Sequence, residues 1–264
     1  MTDELFYNVD EGVILILLFI ALIVALEIGS WLGRKGCARI DDVGKSYVSS
    51  LQTSIIGLLA LLLAFVLSMA INRYETRMQL VLNEANAIGT TYLRAKLLPS
   101  PYATDAATLL KQYVANRLEF YNAGIDEARL QAANDQAIQL QKQLWSIVTA
   151  ASAQDNRSVP TGLFVQALND TINLQTQRLA AFNNHVPEVV VWLLLGVAVA
   201  AAGVVGYNNG LGNRRHIFGA LTLVVLLVVI TWVIIDLDRP RPGLIQISQQ
   251  SMVSLQDFIT HDLP

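Results

Sequence analysis

Charge is scarce in this chain, and so is cysteine. Only 15% of the 264 residues are Asp, Glu, Lys or Arg while 53% are hydrophobic, against about 25% charged residues in ordinary soluble domains. Lipid rather than water is therefore the expected solvent for much of its length. A net charge of −3 offers no basic surface, so no nucleic-acid partner is expected. The single cysteine, Cys37, excludes an intrachain disulfide and any multi-cysteine metal site. His185, His216 and His261 stand without ligand spacing, and there is no glycine-rich phosphate loop, nucleophile elbow or His-Glu pair on a helix. Neither a catalytic residue nor a cofactor nor a metal is expected, and the chain does not read as an enzyme. Residues 1–11 hold four acids and no Lys or Arg. They lack the basic start of a signal peptide, so the first apolar block is expected to be retained.

What the chain has instead is four apolar blocks in two pairs. Block one runs from Gly12 to about Gly33, broken by the single charge Glu27, and a basic loop with Arg34, Lys35, Arg39 and Lys45 follows. Block two lies in a stretch from Leu51 to Leu98: no charge separates Lys45 from Arg73, and no proline interrupts the run before Pro99. A bilayer core of about 30 Å needs about 20 helical residues, so this stretch predicts a span that continues into an amphipathic helix. Its expected seam is Tyr74, Met78, Val81, Ala85, Ile88, Tyr92 and Ala95, at steps of four and three. Block three follows Pro187 and Glu188 and is rich in small residues, among them Gly196, Ala198, Ala200, Ala202, Gly203 and Gly206, which let a neighbouring helix approach closely in lipid. Tyr207 to Asn213 is expected to turn. Block four is Ile217 to Ile235; in a chain with three other spans its Val and Leu content reads as a membrane helix.

The more polar middle third predicts helices at about 104–121, with Ala107, Leu110, Val114, Arg117 and Tyr121 on one face, and 126–151, with Leu130, Ala137, Leu140, Leu144, Ile147 and Ala151. A further helix at 161–184 would use Leu163, Ala167, Leu174 and Phe182. Pro99-Ser100-Pro101 stops the preceding helix, and a short amphipathic segment with Met252, Leu255 and Ile259 ends the chain. The expected fold is an all-α membrane protein: four transmembrane helices, with an extramembrane antiparallel helical bundle inserted between spans two and three. The expected division is 1–72 (tail and spans one and two), 73–186 (bundle), 187–236 (spans three and four) and 237–264 (extramembrane tail). Arg34, Lys35, Arg39, Lys45, Arg214 and Arg215 crowd the two short loops, so the positive-inside bias puts those loops in the cytoplasm and the bundle and both termini outside. Arg73, Arg77, Arg239 and Arg241 oppose that orientation.

Two groups of charges are candidate sites. Glu27 lies inside a span, where a carboxylate is costly; it is a pore-lining or proton-titrating group, or it pairs with Arg34 or reaches interfacial water. Asp236, Asp238, Arg239 and Arg241 sit where block four meets water. Repeated around a pore they would ring its mouth; alternatively they pair locally and anchor the end of the span.

The run Glu84-Ala85-Asn86-Ala87-Ile88-Gly89-Thr90-Thr91-Tyr92-Leu93-Arg94 with Leu97-Leu98-Pro99, and the run Asp236-Leu237-Asp238-Arg239-Pro240-Arg241-Pro242-Gly243-Leu244-Ile245 with Ser248-Gln249-Gln250, resemble the hallmarks of the bacterial bestrophin-like membrane family, a domain of unknown function. The resemblance covers nearly the whole chain. It implies likeness to bestrophins, which are pentameric, mostly anion-conducting channels with four spans per subunit and a helical extramembrane domain. A multi-pass protein of the bacterial inner membrane, in contact with the lipid bilayer and assembled as a homo-oligomer, is what it implies here. An acidic calcium-clasp cluster and an aromatic neck motif are missing, so calcium gating is not implied. Glu84, Asn86 and Arg94 of the first motif lie off the expected seam; they are solvated, or bind a neighbouring subunit or the segment after Gly243. The function so implied is an oligomeric channel or transport protein for an ion or small solute. The alternative is a membrane-anchored sensory or scaffold protein whose bundle binds a ligand or partner.

Overall fold

The computed structural model describes residues 9–37, 40–212, 217–239 and 243–262. Among these the chain forms eight α-helices and no strand: α1 (Glu11–Gly36), α2 (Asp42–Ala95), α3 (Tyr102–Asn122), α4 (Glu127–Gln154), α5 (Val159–Phe182), α6 (Glu188–Leu211), α7 (Ile217–Asp238) and α8 (Gln250–His261). Helices α1, α2, α6 and α7 are long and apolar enough to cross a membrane. The helices fall into two compact units. One takes the chain up to Asn72 together with His185–Arg239; the other takes Arg73–Asn184 and the chain beyond Arg239.

In the first unit α1 and α6 touch backbone to backbone, because both carry glycines four residues apart at the contact. A Cβ added to Gly29 would lie 2.0 Å from the Gly203 oxygen, one on Gly33 2.2 Å from that of Tyr207, one on Gly206 2.1 Å from that of Leu26 and one on Gly210 2.4 Å from that of Ser30. No side chain fits at those distances, so dispersion between the two backbones holds the pair. This contact also explains why Tyr207 to Leu211 is not a turn: α6 stays helical through Asn208-Asn209-Gly210 so that Gly210 meets α1.

Helix α2 begins earlier than hydropathy suggested, taking Asp42 to Lys45 out of the expected loop. Asp41 fixes its start by accepting from the Gly44 amide at 2.9 Å, the side-chain cap that satisfies an amide of the first turn. Its helix ends at Ala95, four residues before Pro99, and Leu98 is buried after the turn.

The second unit packs the later part of α2 with α3, α4, α5 and α8 around one apolar core. Ile88 and Tyr92 of α2, Leu110 and Tyr113 of α3, Leu140 and Leu144 of α4, Phe164 and Leu168 of α5, and Met252 and Ile259 of α8 all enter it. Asp126 and Ser158 cap α4 and α5 by accepting from the amides of Arg129 and Thr161. The expected seam of α2 is buried at Val81, Ala85, Ile88, Tyr92 and Ala95, and Ala167 of the α5 face is buried, while single positions on both faces differ. Leu163 is exposed and Phe164 takes its place in the core, and Met78 is 44% exposed while Arg77 and Glu84 occupy the buried side of α2.

Candidate functional site

Within the first unit, α2 has two unlike faces. Leu59, Leu63, Val66 and Ala70 are buried at steps of four and three. On the opposite side Ser46, Ser50, Thr53, Gly57, Leu61, Ala64 and Ser68, at the same steps, are all exposed. Apart from Leu61 this stripe is made of hydroxyls and small residues, and the exposed Leu58 and Phe65 flank it. Two of its hydroxyls, Ser50 and Thr53, donate to the carbonyls of Ser46 and Ser49 at 3.1 and 3.0 Å. Such back-bonded hydroxyls keep their acceptor lone pairs outward. Sequence reading followed the apolar stripe of this helix and missed its complement; the signal was the run of Ser, Thr and Gly at helical spacing.

Glu27 lies on the exposed surface of α1 and forms no ion pair with Arg34 or any other described residue. The neighbouring turn is anchored otherwise, with the Lys35 ammonium 3.6 Å from the centre of the Trp31 ring. Asp236 and Asp238, by contrast, are buried, each 1% exposed. The Asp238 carboxylate accepts from the Val186 amide at 2.9 Å and stands 3.8 Å from the His185 ring. Arg239 donates to the Val9 carbonyl at 2.6 Å. These contacts tie the end of α7 to the chain around it. Arg241 lies outside the described residues.

In the second unit Glu84 is fully buried between two arginines. Its carboxylate accepts from Arg117 Nε at 2.9 Å through one oxygen and from Arg178 Nη1 through the other. Arg178 also donates to the Gln249 side chain at 3.3 Å, which ties the terminal segment to the triad. The solvated arrangement open to Glu84 on sequence grounds does not occur, because a carboxylate flanked by two guanidinium groups satisfies its lone pairs inside the core. Burial lowers the pKa of Arg178 from its ordinary value, with Glu84 pulling it back up and the like charge of Arg117 pushing it down. Burial, then the nearby Glu84 charge, pushes the Tyr113 phenol up to about 12; its oxygen accepts from Gln141 at 3.2 Å. Asn86 and Arg94 are not part of this cluster. Asn86 is exposed on the open side of α2, and Arg94 donates to the Leu163 carbonyl at 2.8 Å. The cleft beside Arg178, lined by Arg77, Phe120, Phe182 and Gln249, has a volume of about 40 Å³, well below the roughly 300–1,000 Å³ of sites that hold organic ligands. Among the described residues no group of His, Cys, Asp and Glu is disposed to hold a metal ion.

A family model described as the Bestrophin-like domain matches residues 18–252. No curated protein matches. Among solved structures the chain is similar to a bacterial bestrophin homolog from Klebsiella pneumoniae, at 14% identity and a TM-score of 0.63, with 93% of this chain and 99% of that one covered. A point variant of that homolog aligns at 12% identity and a TM-score of 0.64 over 92% and 99%. A membrane-protein point variant aligns at 14% identity and 0.66 over 97% and 100%. At such identities the likeness is one of fold.

Proposed function

Because the chain belongs to the bestrophin-like family, we propose that several copies assemble around a common axis as an ion channel, with the open face of α2 in each copy lining the path. The observation that carries this reading is the exposed stripe from Ser46 to Ser68. Side chains that are small or carry outward lone pairs leave room near an axis and offer acceptors to a partly dehydrated ion, whereas lipid would favour bulk. Leu61 and Ala64, midway along the span, make the apolar narrowing between hydroxyl-bearing ends. Glu27 belongs to the same reading. Inside a span, though past its middle, an unpaired carboxylate is costly in lipid, so it faces a water-filled path or a neighbouring copy. Asp236, Asp238 and Arg239 serve as anchors of α7 and Glu84 as a structural lock. The short loops, and with them the last turn of α1 that carries Arg34 and Lys35, face the cytoplasm of the bacterial inner membrane.

Cysteine accessibility tests the reading. In a Cys37→Ser background reconstituted in liposomes, Leu61→Cys should react with a charged thiol reagent and lose ion flux on modification. Leu17→Cys, exposed on α1, should do neither. Equal silence at both positions, or no flux from the unsubstituted protein, overturns it.

A further inference from the structure

Independently of the channel reading, we propose that the second unit binds one small monovalent anion of the halide class in the cleft beside Arg178. The cleft lies wholly within that unit. Arg77 of α2, Phe120 of α3, Arg178 and Phe182 of α5, and Gln249 just ahead of α8 line it. A water molecule needs about 10–15 Å³ of such space. The cleft's volume of about 40 Å³ therefore has room for an ion of that size or somewhat larger, and none for an organic acid.

The charge beside the cleft does not balance. Arg117 and Arg178 share one carboxylate, Glu84, which gives one oxygen to each, so the buried group holds one positive charge in excess. No acid lines the cleft among the described residues. The remaining contacts of the two guanidinium groups are neutral. Arg178 Nη2 donates to Gln249 Oε1 at 3.3 Å. The Arg117 guanidinium stands 4.8 Å from the centre of the Phe120 ring, a wall of the cleft, and its buried Nη1 has no hydrogen-bond partner. Arg77 brings a third guanidinium to the wall, held there by the carbonyls of Ala181 and Asn184 at 3.0 and 2.8 Å. Burial weakens the hold of Arg178 on its proton against the pull of Glu84, and the like charge of Arg117 weakens it further. A buried charge short of a partner is costly, and an anion in the cleft supplies the counter-charge that the chain omits. Its apolar side, where the Phe120 and Phe182 rings meet edge to face at 6.3 Å, suits an ion that sheds water readily.

Thermal scans of the purified full-length protein in detergent test the proposal, with sodium chloride replacing sodium gluconate at constant ionic strength. Gluconate is too large for the cleft, and screening of exposed charges is common to both salts. The midpoint should rise with chloride and level off, by about 5–10 °C at a hundredfold excess over the dissociation constant. Gln249→Glu sets a carboxylate against Arg178; it should melt above the parent in gluconate and lose the chloride response. Arg178→Gln removes the excess charge and should lose the response whatever its own midpoint. Crystals of the unsubstituted protein grown in sodium bromide give a measurement that needs no variant, with anomalous density expected within hydrogen-bond distance of Arg178. A midpoint indifferent to chloride, an equal rise in Gln249→Glu, or a cleft without bromide overturns the proposal. Ion flux enters none of these measurements, so the channel reading stands or falls separately.

Discussion

Replacing Glu84 with Gln keeps the shape of the side chain and removes its charge. Arg117 and Arg178 would then face one another across a neutral amide, in a site where the three side chains are 1%, 11% and, for Glu84 itself, 0% exposed. Removing one partner from a buried ion pair costs about 3–5 kcal/mol, because the charge left behind stays desolvated. For folds of this size 1 kcal/mol moves the melting midpoint by about 2–4 °C, so Glu84→Gln should melt about 6–20 °C earlier. The assay is a thermal scan of purified full-length protein in detergent, read by size-exclusion chromatography of the heated samples, with far-UV circular dichroism confirming that the helices are present at the start. Two companions isolate the cause. Glu119→Gln removes the exposed pair with Arg129, where solvent screens the attraction, and should leave the midpoint where it was. Changing Glu84, Arg117 and Arg178 together to Met replaces the triad by apolar volume and should recover much of the loss. A Glu84→Gln midpoint within about 2 °C of the parent, or a triple variant worse than the single one, would refute the reasoning.

The tight contact of α1 with α6 predicts that Gly33→Leu or Gly206→Leu forces the backbones apart, at the upper end of the roughly 1–3 kcal/mol range for overpacking or beyond it. Gly196→Ala, where an added Cβ meets nothing within 4 Å, should be tolerated; the yield of monodisperse protein reads the difference. The raised pKa of Tyr113 predicts a stability that falls as pH climbs. Unfolded tyrosine releases its proton near 10 and the folded one near 12, so the unfolded state binds fewer protons in that window and gains on the folded state. The loss reaches about 2 kcal/mol by pH 12, and Tyr113→Phe should flatten it in denaturant titrations at pH 9 to 12. A reporter fused in the exposed turn at Asp155 should be active only in the form that works outside the cytoplasm; activity of the cytoplasmic form instead would reverse the orientation.

The long elements were legible because lipid leaves a plain record: four blocks of apolar residues became α1, α2, α6 and α7. What hydropathy averages could not carry was the local chemistry of ends and contacts. The start of α2 depended on Asp41 as a cap, and the helical Asn208-Asn209-Gly210 depended on Gly33, far away in sequence. The burial of Glu84 was missed for a related reason, since its partners lie 33 and 94 positions along the chain. One signal was there: Arg117 stood among Ala107, Leu110 and Val114 on the apolar face of α3. A guanidinium on a core face asks for a buried carboxylate, and the first family motif supplies one.

The same asymmetry bears on why α2 has the composition it has. A helix that only anchored a domain would need one apolar face towards its own unit and bulk towards lipid, as α1 has in Ile16, Leu17 and Ile20, each more than half exposed. Helix α2 meets the first need with Leu59, Leu63 and Val66 and sets Gly57, Ala64 and Ser68 among the exposed Leu58, Leu61 and Phe65 on its outward side. Small residues on an outward face lose transfer energy in lipid relative to Leu, and they gain where size or polarity counts for more than hydrophobicity. A water-filled path bounded by several copies of the helix is such an environment. On the channel reading proposed above, enlarging Ala64 to Leu should narrow the path and reduce flux while leaving the melting midpoint of the protein unchanged.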